Sequence, residues 1–333
     1  MENGSLAYVS FEELTRLRTS MDDRFARASL LADAFRINTL YMIAKAGSGH
    51  LGTSFSSMDI VTWLWTEVLK QPAETATADG DIYFSSKGHD APGLYSVLLG
   101  LGKLPFEKIH ALRRLGGLDG HPDVKTPFMI TNTGPLGMGI SKARGIAQAR
   151  RMNGKTGKIY VLTGDGELQE GQIWESLQPT ANHAFSEIMV IVDRNKIQSD
   201  SLVAKVSDLG DLEAKFKAFG WAVRTCDGHD IVAFDKMIAE MNAVTDRPQV
   251  IIADTIKGKG VSFTEQLAQD GFYKYHAGLY NAGAGNTVCM SNTVLTGFMT
   301  GQKDAGENRR FGSGEDTAKP IMSPLKKGQN DSN

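Results

Sequence analysis

The sequence predicts an α/β fold: a doubly wound, mostly parallel sheet flanked by helices. Residues 158–162 and 187–192 are short apolar runs rich in β-branched side chains, the pattern of strands buried on both faces of a parallel sheet. Between them, residues 168–185 have the length and composition of a crossover helix, which makes the three segments one βαβ unit. Strand-like and helix-like segments keep alternating to residue 255, as a parallel sheet requires.

In chain order, residues 11–46 carry apolar side chains at helical spacing until Gly47 and Gly49 interrupt them. A second helix is predicted over 57–70, stopped before Pro72, then a short strand over 81–85, a Gly88-His89 turn and a helix through Leu101. Further helical segments are predicted near 105–115 and 138–152. Beyond the βαβ unit the pattern predicts a helix at 209–219, a strand at 221–226, a helix at 229–242 and a last strand at 249–255. The expected organisation is a flexible N-terminus over 1–10, one domain over 11–280, and a flexible tail over 281–333, where Gly, Asn, Ser, Thr, Lys and Asp leave little apolar surface to offset ordering entropy.

With 36 basic and 38 acidic residues, a net charge of −2 and 41% apolar content, the chain reads as a soluble globular protein with ample core. The balanced charge gives no support for nucleic-acid binding. No window offers the roughly 18 apolar residues of a membrane helix, and the first ten residues lack the basic and apolar regions of a signal peptide. A cytoplasmic location is expected. Two cysteines, Cys226 and Cys289, make neither a disulfide framework nor a zinc site.

Chemistry concentrates where the two buried strands end. Gly164-Asp165-Gly166-Glu167 follows the first, and Asp193-Arg194-Asn195-Lys196-Ile197 closes the second, so Asp165 and Asn195 fall at the carboxyl ends where open α/β sheets bind ligands. Glycines at 164 and 166 allow close backbone approach to a phosphate, and the following helix adds its N-terminal end. The carboxylate and amide oxygens are hard ligands suited to Mg²⁺ or Ca²⁺ shared with a diphosphate. A dinucleotide fingerprint fails because position 169 is Gln, not Gly.

The longer stretches GDGELQEGQIWES and VDRNKIQSD resemble the thiamine diphosphate motif of transketolases, in particular the amino-terminal subunit of two-chain transketolases. The resemblance implies the diphosphate-binding domain of the thiamine-diphosphate-binding fold, with thiamine diphosphate and Mg²⁺ (or Ca²⁺) as cofactors. By it, Asp165, Asn195 and the Ile197 carbonyl coordinate the metal, while Gly164, Gly166 and Glu167 join Asp165 and Asn195 around the cofactor. Thr133-Gly134-Pro135-Leu136-Gly137 is similar to the family's GPLG loop over the cofactor, which brings in Gly134 and Leu136; Met138 stands where a polar residue is commoner.

Four of the seven histidines directly follow a glycine, in open turns from which an imidazole can point into a cleft. The segments AGSGH, SKGH and GHP are similar to family turns that line the substrate channel and cofactor pocket, which implicates His50, His89 and His121. Residues 255–263 resemble the family's TxKGKG segment; His276 matches its following His-Gly, although here the order is His276-Ala277-Gly278. Lys257 and Lys259 are candidates to face phosphate, against the ordinary reading of solvated lysines. His229 is expected to cap a helix. Glu170 and Glu175 are placed by the resemblance in a carboxylate network at a subunit interface, against the reading of exposed helix glutamates.

Near neutral pH, imidazoles can donate to sugar hydroxyls and shuttle protons, duties that His50, His89, His121 and His276 would share. The resemblance covers residues from about 10 to 280, only the first of a transketolase's three domains. It therefore implies a partner, a separate C-terminal (pyrimidine-binding) transketolase subunit, together with an α2β2 assembly, sugar or sugar-phosphate substrates, and a chain inert alone. The alternatives are the α subunit of a 2-oxoacid dehydrogenase, which shares the cofactor motif, and a non-catalytic regulatory subunit.

Overall fold

A computed structural model describes residues 6–262, 264–266 and 271–276, together with the backbone of 319–321. The chain enters through β1 (Ala7–Val9), α1 (Phe11–Leu17) and the long α2 (Arg24–Ala46). Residues 7–9 lie within the segment expected to be flexible, but Asn38 of α2 holds both backbone groups of Val9, accepting from its N–H at 2.7 Å and donating to its carbonyl at 3.0 Å. The single helix expected over 11–46 is two because polar residues at the break serve local backbone groups. Thr19 and Ser20 donate to Arg16 O and Leu17 O, and Asp23 accepts from Phe25 N and Ala26 N to cap α2.

A short α3 (Leu51–Ser56) that the sequence pattern did not predict comes first, and the helix expected over 57–70 is α4 (Met58–Trp63) continued by a π turn at Leu64–Val68. Ser57 turns its hydroxyl onto Thr53 O at the joint. After β2 (Ile82–Ser85) and α5 (Ala91–Gly100), the helix expected at 105–115 is a single 3-10 turn, Phe106–His110, capped at Ala111, and the left-handed Arg113 at φ 56° follows it. Then come α6 (Gly139–Met152), β3 (Ile159–Gly164), a 3-10 turn at Gly166–Gln169, α7 (Gly171–Asn182) and β4 (Ile188–Arg194). A small hairpin, β5 (Ile197–Gln198) and β6 (Ser201–Leu202), leads through α8 (Val203–Val206) and α9 (Leu212–Ala218) to β7 (Ala222–Asp227), α10 (Ile231–Asn242) and β8 (Gln249–Asp254).

The main sheet is five-stranded, in the order β2-β3-β4-β8-β7, and every pair in it is parallel. Its period-two alternation divides the interior into two cores. Tyr160, Leu162, Met189, Ile191 and Ile251 join α2, α4, α5 and α10 on one face. Ile159, Val161, Val190, Val192 and Ile252 join α6, α7 and α9 on the other. Three layers follow, the doubly wound α/β arrangement that the sequence predicts. Of the tail expected over 281–333, only β9 (Lys319–Ile321), which pairs in parallel with β1, falls among the described residues. No helix among the described residues is long and apolar enough to cross a membrane.

Candidate cofactor and substrate site

Strand register builds the site. Ser85 pairs with Leu162, Gly164 with Asp193 and Asp193 with Ala253, so β2, β3, β4 and β8 deliver their following turns to one end of the sheet. Asp165, Asn195 and Lys257 meet there with the Lys87–His89 turn.

Asp165 is buried and accepts from two main-chain N–H groups, Gly166 at 2.9 Å and Lys196 at 2.6 Å. Burial, with the neighbouring charge of Asp193, pushes its carboxyl up to about 6. Asn195 donates through Nδ2 to Ser56 Oγ and Asp193 Oδ2, both at 3.3 Å, which leaves Oδ1 on the acceptor side facing Ile197 N at 3.1 Å. The Ile197 carbonyl, the third expected ligand, accepts from Lys257 Nζ at 3.0 Å. An underneutralised buried carboxylate beside an amide oxygen and a main-chain carbonyl is a donor set that fits a hard divalent cation.

The glycines of the GDG turn serve packing within the chain. A Cβ on Gly166 would meet Gln198 Cβ at 2.7 Å, and one on Gly164 would meet Lys87 Cδ at 3.1 Å. Glu167, which the resemblance places around the cofactor, has both carboxylate oxygens bonded within the chain. Its Oε1 accepts from the Ser86 hydroxyl and from Gly137 N at 2.8 Å, and its Oε2 from the Thr163 hydroxyl at 2.7 Å and Gly164 N at 3.2 Å. One buried carboxylate thereby ties the β2 turn, the 134–137 loop and the end of β3 together. In that loop Gly134 adopts φ 147° with open space where a Cβ would stand, and Leu136 is exposed.

All four singled-out histidines converge. The His50 ring centroid lies 5.0 Å from His89, 5.0 Å from His276 and 6.2 Å from His121, and His89 lies 6.0 Å from His276. Burial, then neighbouring positive charge, lowers all of them: His50 to about 4, with His276 and Arg113 contributing, His276 to about 4 beside Lys257, and His89 to about 2 beside Lys87. His121 is lowered by burial and by Arg113. These imidazoles are neutral near pH 7. His89 Nδ1 lies 2.8 Å from Lys87 O, so Nδ1 carries the proton and Nε2 is the acceptor. His50 Nδ1 is buried without a hydrogen-bond partner, a polar atom awaiting a ligand group.

One part of the site, the buried pair of Lys87 and Asp193, was not found from sequence. Lys87 is buried and bonds Asp193 Oδ2 at 2.8 Å and Thr53 Oγ1 at 3.0 Å, while Asp193 also accepts from the hydroxyls of Ser56 and Thr255. The available signal was an aspartate at a strand position otherwise continuous with buried apolar residues. Lys257 is buried rather than solvated, bonds Ser199 O at 3.1 Å as well as Ile197 O, and is lowered to about 8 by burial. Glu170 and Glu175 are both exposed. His229 does not cap α10: Asp230 does, by accepting from Ala233 N at 3.0 Å.

Residues 27–272 match the family model described as "Transketolase, thiamine diphosphate binding domain". A 6-deoxy-6-sulfo-D-fructose transketolase subunit of Clostridium sp. is 36% identical over 70% of this chain and 86% of its own length. An apulose-4-phosphate transketolase subunit from Actinobacillus succinogenes is 38% identical with the same two coverages. The crystal structure of Campylobacter jejuni transketolase superposes with a TM-score of 0.67 at 28% identity, covering 78% of this chain but only 41% of that one. The chain belongs to the transketolase family and corresponds to its amino-terminal, thiamine-diphosphate-binding part. It is a transketolase-type transferase chain.

Proposed function

We propose that the chain is the diphosphate-binding subunit of a split transketolase that moves a two-carbon ketol unit from an anionic ketose to an aldose, using thiamine diphosphate and Mg²⁺. The observation that carries this reading is the convergence of two features at one sheet end: an underneutralised Asp165 among hard oxygen ligands, and a cluster of four neutral imidazoles. Asp165, Asn195 and the Ile197 carbonyl would hold the cation, and the Lys257 ammonium, already against that carbonyl, would take diphosphate oxygens. When bound, the cofactor would supply a nucleophilic thiazolium carbon for the ketose carbonyl and, in its cationic ring, the electron sink for the pair left by C–C cleavage.

This chain's own residues orient the sugar and move its protons. His89 offers an Nε2 acceptor to a substrate hydroxyl, with its ring fixed by Lys87 O. His50, with Nδ1 unpaired, and His276 provide exchangeable positions beside it, in a pocket where burial keeps imidazoles uncharged and able to accept a proton. Arg113 lowers both His50 and His121, so a cationic side chain stands near the mouth of the cluster. Two relatives are named for a sulfo sugar and a sugar phosphate, which agrees with an anionic substrate.

The groups that activate the cofactor's pyrimidine are assigned to a separate C-terminal subunit, the two chains forming an α2β2 assembly. The near-complete coverage of the two-chain relatives, against 41% of a full-length transketolase, supports that division. Calorimetric titration of thiamine diphosphate with Mg²⁺, with and without the candidate partner, tests the reading. Tight binding only with both chains is expected; absence of binding in both cases would remove it.

A further inference from the structure

His229 stands between two elements. Its Nδ1 lies 2.7 Å from Asp59 Oδ2 on α4, and its Nε2 lies 2.9 Å from the main-chain nitrogen of Ile256, just past β8. A main-chain N–H can only donate, so Nε2 is the bare nitrogen and Nδ1–H donates to Asp59. Asp59 is itself buried and bound to Arg36 Nη2 of α2 at 2.5 Å, while Arg36 Nη1 bonds Asp33 Oδ1 at 3.0 Å. A charged cluster outside the cofactor site thus fixes the tautomer and orientation of a ring whose far nitrogen grips the chain one residue before Lys257. The Ile256 side chain is 40% exposed and gives that position little anchorage of its own. The turn is also held by the Thr255 hydroxyl on Asp193, by Thr255 N on Arg194 O at 3.1 Å, by Lys259 N on Ile256 O at 3.1 Å and by Gly258 N on Gly52 O at 2.9 Å, none of which holds the Ile256 amide.

We propose that His229 is a positioning residue, whose bare Nε2, oriented by Asp59, holds the Ile256 amide and so sets where Lys257 enters the cofactor site. The consequence for ligand affinity rests on the diphosphate reading above; the latch itself does not. Two substitutions separate the ring's two bonds. In His229→Gln a carbonyl oxygen can take the place of Nε2, keeping the grip on Ile256 and losing Asp59. In His229→Asn an amide N–H can take the place of Nδ1, keeping Asp59 and losing Ile256. A residue that merely satisfies the buried Asp59 would be replaced better by Asn.

The latch predicts the reverse order. In the full-length chain without ligand, exchange of the 256–258 amides with deuterium should be about tenfold faster in His229→Asn, and within about threefold of wild type in His229→Gln, the range that loss of one hydrogen bond supports. Binding of inorganic pyrophosphate with Mg²⁺ should weaken in the same order. Equal exchange in the two variants, or faster exchange in Gln than in Asn, overturns the proposal. Nitrogen-15 shifts of the wild-type imidazole give a check independent of folding in the variants: an unprotonated Nε2 is expected, and a protonated one overturns the latch. The exchange and imidazole readouts need no ligand, so they decide the latch even if pyrophosphate fails to bind and the cofactor reading falls.

Discussion

Asp165 and Asp193 lie on adjacent strand ends and both are buried, yet one is neutralised within the chain and the other is not. Asp193 has Lys87 at 2.8 Å and accepts from three further side chains, Ser56, Thr255 and Asn195. Burial opposes its ionisation, but Lys87 and these donors outweigh burial and hold its carboxyl below the usual value. Asp165 has only two main-chain N–H groups, and burial leaves its carboxyl raised to about 6. Asp193 belongs to a finished ion pair, whereas the charge of Asp165 is not answered by a side-chain cation. The difference follows from geometry, because Lys87 reaches β4 from the β2 turn and no side-chain cation is bonded to Asp165 among the described residues.

The sharpest way to break the contrast is Asp193→Ala, which leaves the Lys87 ammonium buried without its main partner. Removing one member of a buried ion pair costs about 3–5 kcal/mol, and urea unfolding of the unliganded chain should show a loss of that size. A loss below about 1 kcal/mol would mean that Lys87 finds another partner or reaches water.

Asp165→Asn should have the opposite sign. Its folded-state value of about 6 stands above the ordinary 3.8 of an aspartate, so between these the folded chain holds the proton more tightly than the unfolded chain. Stability from this group therefore falls as pH rises from about 4 to about 6, and its cost is fully present above that, on the order of 3 kcal/mol. Asn removes the cost but sets an amide N–H against one of the two main-chain donors, which returns roughly 1 kcal/mol. A net gain of about 1–2 kcal/mol at pH 7 is expected, with the fall in stability between pH 4 and 6 flattened relative to wild type. Metal-dependent cofactor binding should be lost in the same variant. A destabilised variant that still binds would show that Asp165 is a structural acid like Asp193.

The strands, the βαβ unit and Asp165 were legible because burial on both faces writes a continuous apolar run and because the GDG turn interrupts it at the strand end. Three of the clustered histidines, His50, His89 and His121, were legible as glycine-preceded turns and His276 only through the family resemblance, and the structure brings the four together. The break at 18–23 was not, since side-chain bonds back to local carbonyls override a periodicity that reads as continuous. Nor were the partners of Lys87, Glu167 and His229. Each joins segments far apart in sequence, so only the sheet register reveals what each touches. The resemblance names Glu167 without its partners, and the 3-10 turn at Gly166–Gln169 brings its carboxylate back onto Gly164 N.

Glu170 and Glu175 sharpen the comparison from the solvent side, with the smallest effect. Both are exposed, and Glu170 sits against the 134–137 loop, where a Cβ on Gly137 would meet its own Cβ at 2.7 Å. Water already solvates such carboxylates, so Glu170→Gln and Glu175→Gln should change the stability of the isolated chain by less than about 0.5 kcal/mol. If they form a carboxylate network with a second chain, burial at that interface would raise the cost of their charge, and the two substitutions should alter association measured by sedimentation while leaving the single chain unchanged. Association that ignores both substitutions would leave them as ordinary solvated glutamates. The contrast would then rest on the buried pair alone, and the subunit interface would have to be sought on another face.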